Sequence, residues 1–272
     1  DVSGMTKNMS VIDTSSTRTD VNINAGAGGV GQVDWSRFSV GKNEHVNFGF
    51  SDVSQTIINR VLGGQASSIL GKMTNSCIAN GSCSTLSSTG KVILINPAGV
   101  VFGAGSQVDL NSFTVSTFDF RGAKNLKNMT DSALNEYQTG TLNKLSPTAS
   151  VNGAGRSYGN IYFDSNYTKA YEDAGVTIDK GNTQITLDGT TFDHFYNKEV
   201  VGNNNLNKSI AIVSDNINYK DSLLRTAMSY NYGRETSNPQ SFSNVKLITA
   251  DGVTFTYLAN GYIDNQQVAE DT

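Results

Sequence analysis

The sequence predicts an all-β fold, a right-handed parallel β-helix with an N-terminal β cap and with hairpins and loops that leave the helix. Three observations point there. Val92, Ile93, Leu94 and Ile95 form a continuous apolar run, the pattern of a strand covered on both faces. That run stops at Asn96-Pro97-Ala98-Gly99, where a side chain that can bond its own backbone, a fixed φ and a residue free to take positive φ make a tight corner. Strands then follow too closely for any crossover helix: Val100, Val101 and Phe102 end at Gly103-Ala104-Gly105, Val108 and Leu110 alternate with polar neighbours, and Phe113, Val115 and Thr117 alternate again. Short strands joined by corners suit a chain wound into stacked coils.

Composition agrees. The 272 residues, 37% hydrophobic, suffice for a sizeable core, and no stretch reaches the roughly 18 apolar residues of a membrane-spanning helix. A net charge of −4 and a pI near 5.2, without any run of Arg or Lys, argue against nucleic acid as a partner. Only three Pro beside 27 Gly, with abundant Asn, Ser and Thr, fit many corners and few helices. Asp1 to Ser10 has neither the basic region nor the apolar run of a signal peptide, so the expectation is a cytoplasmic protein or a mature exported fragment.

Taken in order, the chain reads as one domain, 1–272, with a cap over 1–25, a motif-bearing part of the helix over 26–118, and further coils with excursions over 119–272. Val11-Ile12 and Val21 to Ile23 are the strand signals of the cap. Gly26 to Gly31 matches GxGxxG, but an alternating strand pattern through Trp35 follows where a phosphate-cradling loop needs a helix, so a turn is expected and no cofactor. Trp35, Phe38, Val40, Val46, Phe48 and Phe50 are candidate core residues, and β-branched residues make Ser54 to Val61 a strand. Cys77 to Cys83 closes around Asn80-Gly81, a hairpin signal. The charged stretch Arg121 to Ser146 reads as an excursion with one capped helical turn, Thr130 to Tyr137. Strands are expected again at 160–163, 175–178, 184–187, 210–213 and 244–248, and loops or hairpins at 192–206 and 222–243. Gly-Val-x-(Phe/Ile) recurs from Gly99, Gly175 and Gly252, compatible with a repeating coil.

Asn96-Pro97-Ala98-Gly99-Val100 with Phe102-Gly103, then Phe113 to Thr117, resembles the NPNG(I/V)-x-(F)G signature and the following (F/L)-x-A-S-T of two-partner secretion (TPS) domains. Trp35 to Gly41 with Val46 to Phe48, and Ile58-Asn59-Arg60-Val61 with Ser67 to Gly71, resemble two further ordered motifs of that family. These domains stand at the front of filamentous-haemagglutinin-type and high-molecular-weight adhesins, haemolysins and contact-dependent toxins of Gram-negative bacteria. The resemblance covers roughly residues 21–118, with Ala98 where the family often has Asn. It implies an exported, non-enzymatic domain, secreted through the periplasm and outer membrane, that a dedicated outer-membrane transporter recognises through its POTRA domains. It also implies folding at the cell surface, where the domain starts the β-helix of a large exoprotein of adhesin type. Asn59, Arg60, Val61, Asn96, Pro97, Ala98 and Gly99 are then the candidate recognition and folding residues. A host receptor or glycan would be met by the downstream exoprotein; a domain that itself binds glycan or host protein is the second reading.

For an exported chain, Cys77 and Cys83 are expected to form a disulfide, whereas in the cytosol they would stay reduced. A metal site needs two further ligands, and His45 and His194 offer none at suitable spacing. The nearest approach to an acid–base cluster, Asp188, Asp193, His194 and Glu199, lies in a loop-like stretch, and no GxSxG pattern occurs, so a polysaccharide-active enzyme is the least supported reading. Asn-x-Ser/Thr at Asn8, Asn80, Asn128, Asn166 and Asn207 follows from composition.

Overall fold

The computed structural model describes residues 1–52, 54–78, 90–110, 112–145, 163–164, 168–178, 183–193, 209–214, 216–225, 244–248, 254–257 and 262–263. Three strands open the chain, β1 (Val2–Met5), β2 (Met9–Ser15) and β3 (Arg18–Ile23). The coils then run through β4 (Val30–Trp35), β5 (His45–Phe50), β6 (Thr56–Val61), β7 (Ser67–Ile69), β8 (Lys72–Cys77), β9 (Lys91–Ile95), β10 (Val100–Phe102), β11 (Gln107–Asp109) and β12 (Ser112–Ser116). An excursion follows, with β13 (Asp119–Phe120), helix α1 (Asp131–Gly140), a 3₁₀ turn at Leu142–Leu145, β14 (Phe163–Asp164) and helix α2 (Lys169–Asp173). The stack resumes with β15 (Ile185–Asp188), β16 (Thr191–Asp193), β17 (Ser209–Val213), β18 (Ile217–Lys220), β19 (Leu223–Arg225) and β20 (Asn244–Ile248), and β21 (Thr254–Tyr257) and β22 (Tyr262–Ile263) end it.

Successive strands step from one sheet to the next, and from β6 onward each turn of chain lays one strand on each of three sheets. The first sheet is ordered β1-β4-β6-β9-β12-β17-β20-β21, the second β7-β10-β15-β18 and the third β2-β3-β5-β8-β11-β16-β19-β22. Pairing within the stack is parallel and in phase: Val33 lies beside Asn59, Asn59 beside Leu94, and Leu94 beside Val115. The chain is a parallel β-helix. Antiparallel strands close its ends, β1 on β4 and the β2–β3 hairpin at the start, β21 on β20 and β22 on β19 at the finish. Strands added in the opposite sense end a parallel stack and protect its exposed edge.

Strand β9 shows why a continuous apolar run was needed. Val92 and Leu94 point into the interior of the coil, with Phe102, Phe113 and Phe192, whose rings meet at 4.8–6.1 Å. Ile93 and Ile95 point outward, yet they are buried too, beneath Phe120, Ala123, Leu126, Tyr137 and Leu142 of the excursion. That excursion holds α1 as the capping signal predicts: the Thr130 hydroxyl accepts from the Ala133 N–H at 3.3 Å. It covers one face of the first sheet and builds a second, smaller core there.

All six aromatic and aliphatic residues expected in the early core, Trp35 to Phe50, are buried. Four expectations need correction. Residues 175–178 form no strand; Gly175 ends the turn after α2 at φ +73°, and Val100 stands beside Ser67 and Ile185, so the Gly-Val recurrence does not mark equivalent corners. Gly252 lies outside the described residues. Phe163 belongs to a strand outside the stack, paired antiparallel with β13. Phe192, expected in a loop, is a fully buried strand residue. Leu223–Arg225 is likewise a strand within a stretch expected to be loop. Strands of three residues complete barely one alternation, too little for a period of two to register.

Cys77 closes β8 and is disulfide-bonded. Cys83 and the expected turn at Asn80-Gly81 lie outside the described residues; pairing of Cys77 with Cys83, the chain's other cysteine, is the proposal. Intact mass before and after alkylation without reductant should show no free thiol. Uptake of two alkyl groups by the native protein would rule the pairing out.

Candidate functional site

The corner after β9 is held by Asn96, whose side chain is fully buried. Its amide donates to the Gln65 carbonyl and to the Ser67 hydroxyl, both at 2.9 Å, in the preceding coil. The side-chain oxygen accepts the Ala98 N–H at 2.9 Å, closing an Asx turn, and the Asn96 N–H donates to Ser116 in the next coil at 2.9 Å. One residue therefore ties three coils together at the point where the chain leaves the first sheet for the second. Gly99 completes the corner at φ +103°, and a Cβ there would lie 2.9 Å from the Gln184 carbonyl. One bond of this kind, unannounced by any motif, is also made by the exposed Asn216, whose amide donates to the Thr183 carbonyl at 3.2 Å just ahead of β15, as Gln65 stands just ahead of β7.

Asn59-Arg60-Val61 lies on β6 with alternate residues on opposite faces. Val61 and Asn59 face the interior, where Asn59 accepts the Trp35 indole N–H at 3.1 Å and donates to the Ile93 carbonyl at 3.3 Å. Arg60 faces outward into the second core and is wholly enclosed. Asp119 meets it with two parallel bonds, Nε to Oδ1 at 3.1 Å and Nη2 to Oδ2 at 2.8 Å, the strong bidentate geometry of a guanidinium and a carboxylate. Nη1 donates to Asp34 Oδ1 at 3.0 Å and to the Lys124 carbonyl at 2.9 Å. The rings of Phe120 and Tyr171 lie near the guanidinium, their centroids 5.9 and 5.8 Å from its carbon, within the range of cation–π attraction.

Both carboxylates are satisfied beyond Arg60. Asp34 accepts the Leu126 N–H at 2.7 Å and the Gln32 amide at 2.8 Å, and Asp119 accepts the Phe120 N–H at 2.9 Å. Gln32 in turn accepts the Tyr137 hydroxyl at 2.7 Å. Sequence reasoning found Arg60 but missed Asp34, Asp119, Gln32 and Tyr137. The available signal was the oddity of one Arg in an otherwise uncharged strand, which demands buried counter-charges somewhere in the chain.

Burial drives the Asp34 pKa upward, against the opposing pull of Arg60, the Leu126 N–H and Gln32, while Asp119 adds to the rise. Burial works to lower the pKa of Arg60, but Asp119 and then Asp34 outweigh it and hold the guanidinium well above its ordinary value. Burial also raises both tyrosines, Tyr137 and Tyr171. Arg60, Asp34 and Asp119 are thus each paired within the network or with the backbone.

Among the described residues the other candidates do not assemble a site. Gly26 to Gly31 is a turn running into β4, with Gly28 at φ +71° and its N–H donated to Ser54. Asp188 is exposed and stands 3.7 Å from Lys220; the Asp193 side chain, His194 and Glu199 lie outside the described residues. His45 Nε2 is engaged with the Thr74 hydroxyl at 2.6 Å. Among the described residues no group of three or more His, Cys, Asp or Glu is arranged to hold a metal.

The family model of the TPS secretion domain matches residues 2–265. The chain belongs to that family. The secretion domain is also similar to two heme/hemopexin-binding proteins of Haemophilus influenzae, 35% and 33% identical over 88 residues, which is 32% of the chain and 8% of each relative's length. A solved structure, the HMW1 secretion domain from Haemophilus influenzae, aligns at 16% identity and a TM-score of 0.44 over 80% of this chain and 41% of that one. Secretion domains of this family belong to large proteins exported through the outer membrane.

Within this secretion domain the raised Asp34 pKa has a defined sign. Protonation of Asp34 favours the folded state, so its contribution to stability declines as pH rises from about 4 through the raised folded pKa. Arg60→Met leaves Asp34 and Asp119 buried without their cation and should cost about 3–5 kcal/mol at neutral pH. Because two like charges then face each other, the difference in thermal midpoint between wild type and Arg60→Met should widen from pH 4 to pH 7. A difference independent of pH would show that the two carboxylates do not depend on Arg60.

Proposed function

We propose that this secretion domain is the export signal and folding nucleus of a larger exoprotein, read as an extended chain by the POTRA domains of a cognate outer-membrane transporter. The observation that carries the reading is burial. Asn59, Arg60 and Asn96 are fully enclosed, and Val61, Pro97 and Gly99 are buried beside them, so a partner can read these motifs only before the domain folds. In the extended chain, Val92 to Ile95 of β9 are apolar on both faces and β6 carries Ile57, Ile58 and Val61 around its Asn59-Arg60 pair, a composition suited to strand addition at a sheet edge. Once outside, the same residues become the joints between coils, and an ordered coil offers the next one a template without an external energy source. The exoprotein as a whole is proposed to be an adhesin; the names of the relatives add heme or hemopexin as ligand chemistry for its remaining length.

Asn96→Ala tests both roles of the corner. The variant loses the Asn96 bonds to Gln65, Ser67 and Ala98, and leaving the buried Ser67 hydroxyl without its side-chain partner costs about 1–3 kcal/mol. The thermal midpoint of the purified domain should therefore fall by several degrees, at roughly 2–4 °C per kcal/mol for a large domain. The urea-unfolded variant should also bind isolated POTRA domains more weakly than unfolded wild type, and cells carrying the transporter should secrete less of it. Normal binding by the unfolded variant together with normal secretion would remove the corner from transporter recognition, whatever the midpoint does.

A further inference from the structure

We propose that residues 118–145, with α2, form a strap that closes last over the outer face of the first sheet, and that Arg60 is its latch. The strap is attached differently from every coil. Coils join by continuous ladders of backbone bonds, whereas among the described residues β13 pairs only with β14 and makes no ladder with the first sheet. Its polar ties to that sheet are formed by side chains: Asp119 and the Lys124 carbonyl to Arg60, the Leu126 N–H to Asp34, the Tyr137 hydroxyl to Gln32, and the Gln138 amide to the Val30 carbonyl at 2.6 Å.

Those ties set an order of assembly. Asp34 and Arg60 come side by side only when β4 and β6 are paired in register, and Ile93 and Ile95 complete the apolar face only when β9 has joined. Asp119 is 59 residues from Arg60, and Leu126 is 92 from Asp34, so the strap meets its partners across long loops whose closure entropy must be met first. A latch of buried charges is also close to all-or-none. Removing water from Arg60, Asp34 or Asp119 is unfavourable until each has its partners, which disfavours a half-closed strap and places closure after the coils are stacked.

For a domain that is exported unfolded, a reading the inference takes from the proposed function, late closure leaves Val30, Ile58, Ile93 and Ile95 uncovered until the coils have formed. A chain still within the transporter thus lacks its second core, and closing the strap makes folding hard to reverse.

Pulsed hydrogen exchange during refolding of the whole chain tests the order without any transporter. The Leu126 and Phe120 amides, bonded to Asp34 and Asp119, report the latch; amides of β6 and β9 report the coils. Protection of Leu126 and Phe120 should appear in a later phase than protection of β6 and β9. Arg60→Met should raise the rate of strap opening on the order of a hundredfold and leave the rate of coil protection unchanged. Should that variant fail to fold, Tyr137→Phe, which removes one strap bond and keeps the latch, should speed exchange at Leu126 while β6 and β9 exchange as in wild type. Latch amides protected with or before those of the coils would overturn the proposal, as would a Tyr137→Phe effect spread equally over strap and coils. Ordered closure in vitro combined with secretion that ignores Arg60 would leave the strap standing and sink the export reading alone.

Discussion

A guanidinium cannot be sealed inside a protein without partners in its plane and around it, and the outer half of this domain is arranged to meet that requirement at Arg60. Asp119 takes one edge of the group in a bidentate pair, Asp34 and the Lys124 carbonyl take another, and Phe120 and Tyr171 stand within cation–π reach. The partners come from three places in the chain, Asp34 on β4, Asp119 to Lys124 at the start of the excursion and Tyr171 on α2, so satisfying Arg60 fixes these and β6 relative to one another. The apolar contacts of the second core, Ile58, Ile93 and Ile95 against Phe120, Leu126 and Tyr137, supply the driving force, and the charges supply the register.

Asn96 does for the interior what Arg60 does for the outer face. A parallel coil must break its ladder at each corner, and the groups freed there need partners if they are to stay buried. Asn96 supplies them to the coil before and donates its own N–H to Ser116 in the coil after, and the exposed Asn216 makes one such bond, to the Thr183 carbonyl. The two motifs are thus joints of different kinds, one between neighbouring coils and one between the coils and the cover laid over them. Both are enclosed in the folded domain.

Much of this was legible in the sequence. The apolar run Val92 to Ile95 announced a strand with two covered faces, and Asn96-Pro97-Ala98-Gly99 announced the corner, because those signals are local. The cover itself was legible only as a charged excursion, since its buried residues, Ala123, Leu126, Tyr137 and Leu142, follow no single period. Strands as short as Thr191–Asp193 and Leu223–Arg225 passed as loops because ladder partners on neighbouring coils define them, with little help from their own pattern. The counter-charges of Arg60 were hidden for the same reason: Asp34 and Asp119 are 26 and 59 residues away, and nothing in a linear reading links them.

The Arg60–Asp119 pair couples the cover to the coils. A double-mutant cycle of Arg60→Met and Asp119→Asn, read by urea unfolding at neutral pH, measures that coupling directly. An interaction free energy of about 2–3 kcal/mol is expected, at the upper end for residues in one network. Additive effects, with a coupling inside about 0.5 kcal/mol as for independent sites, would contradict it.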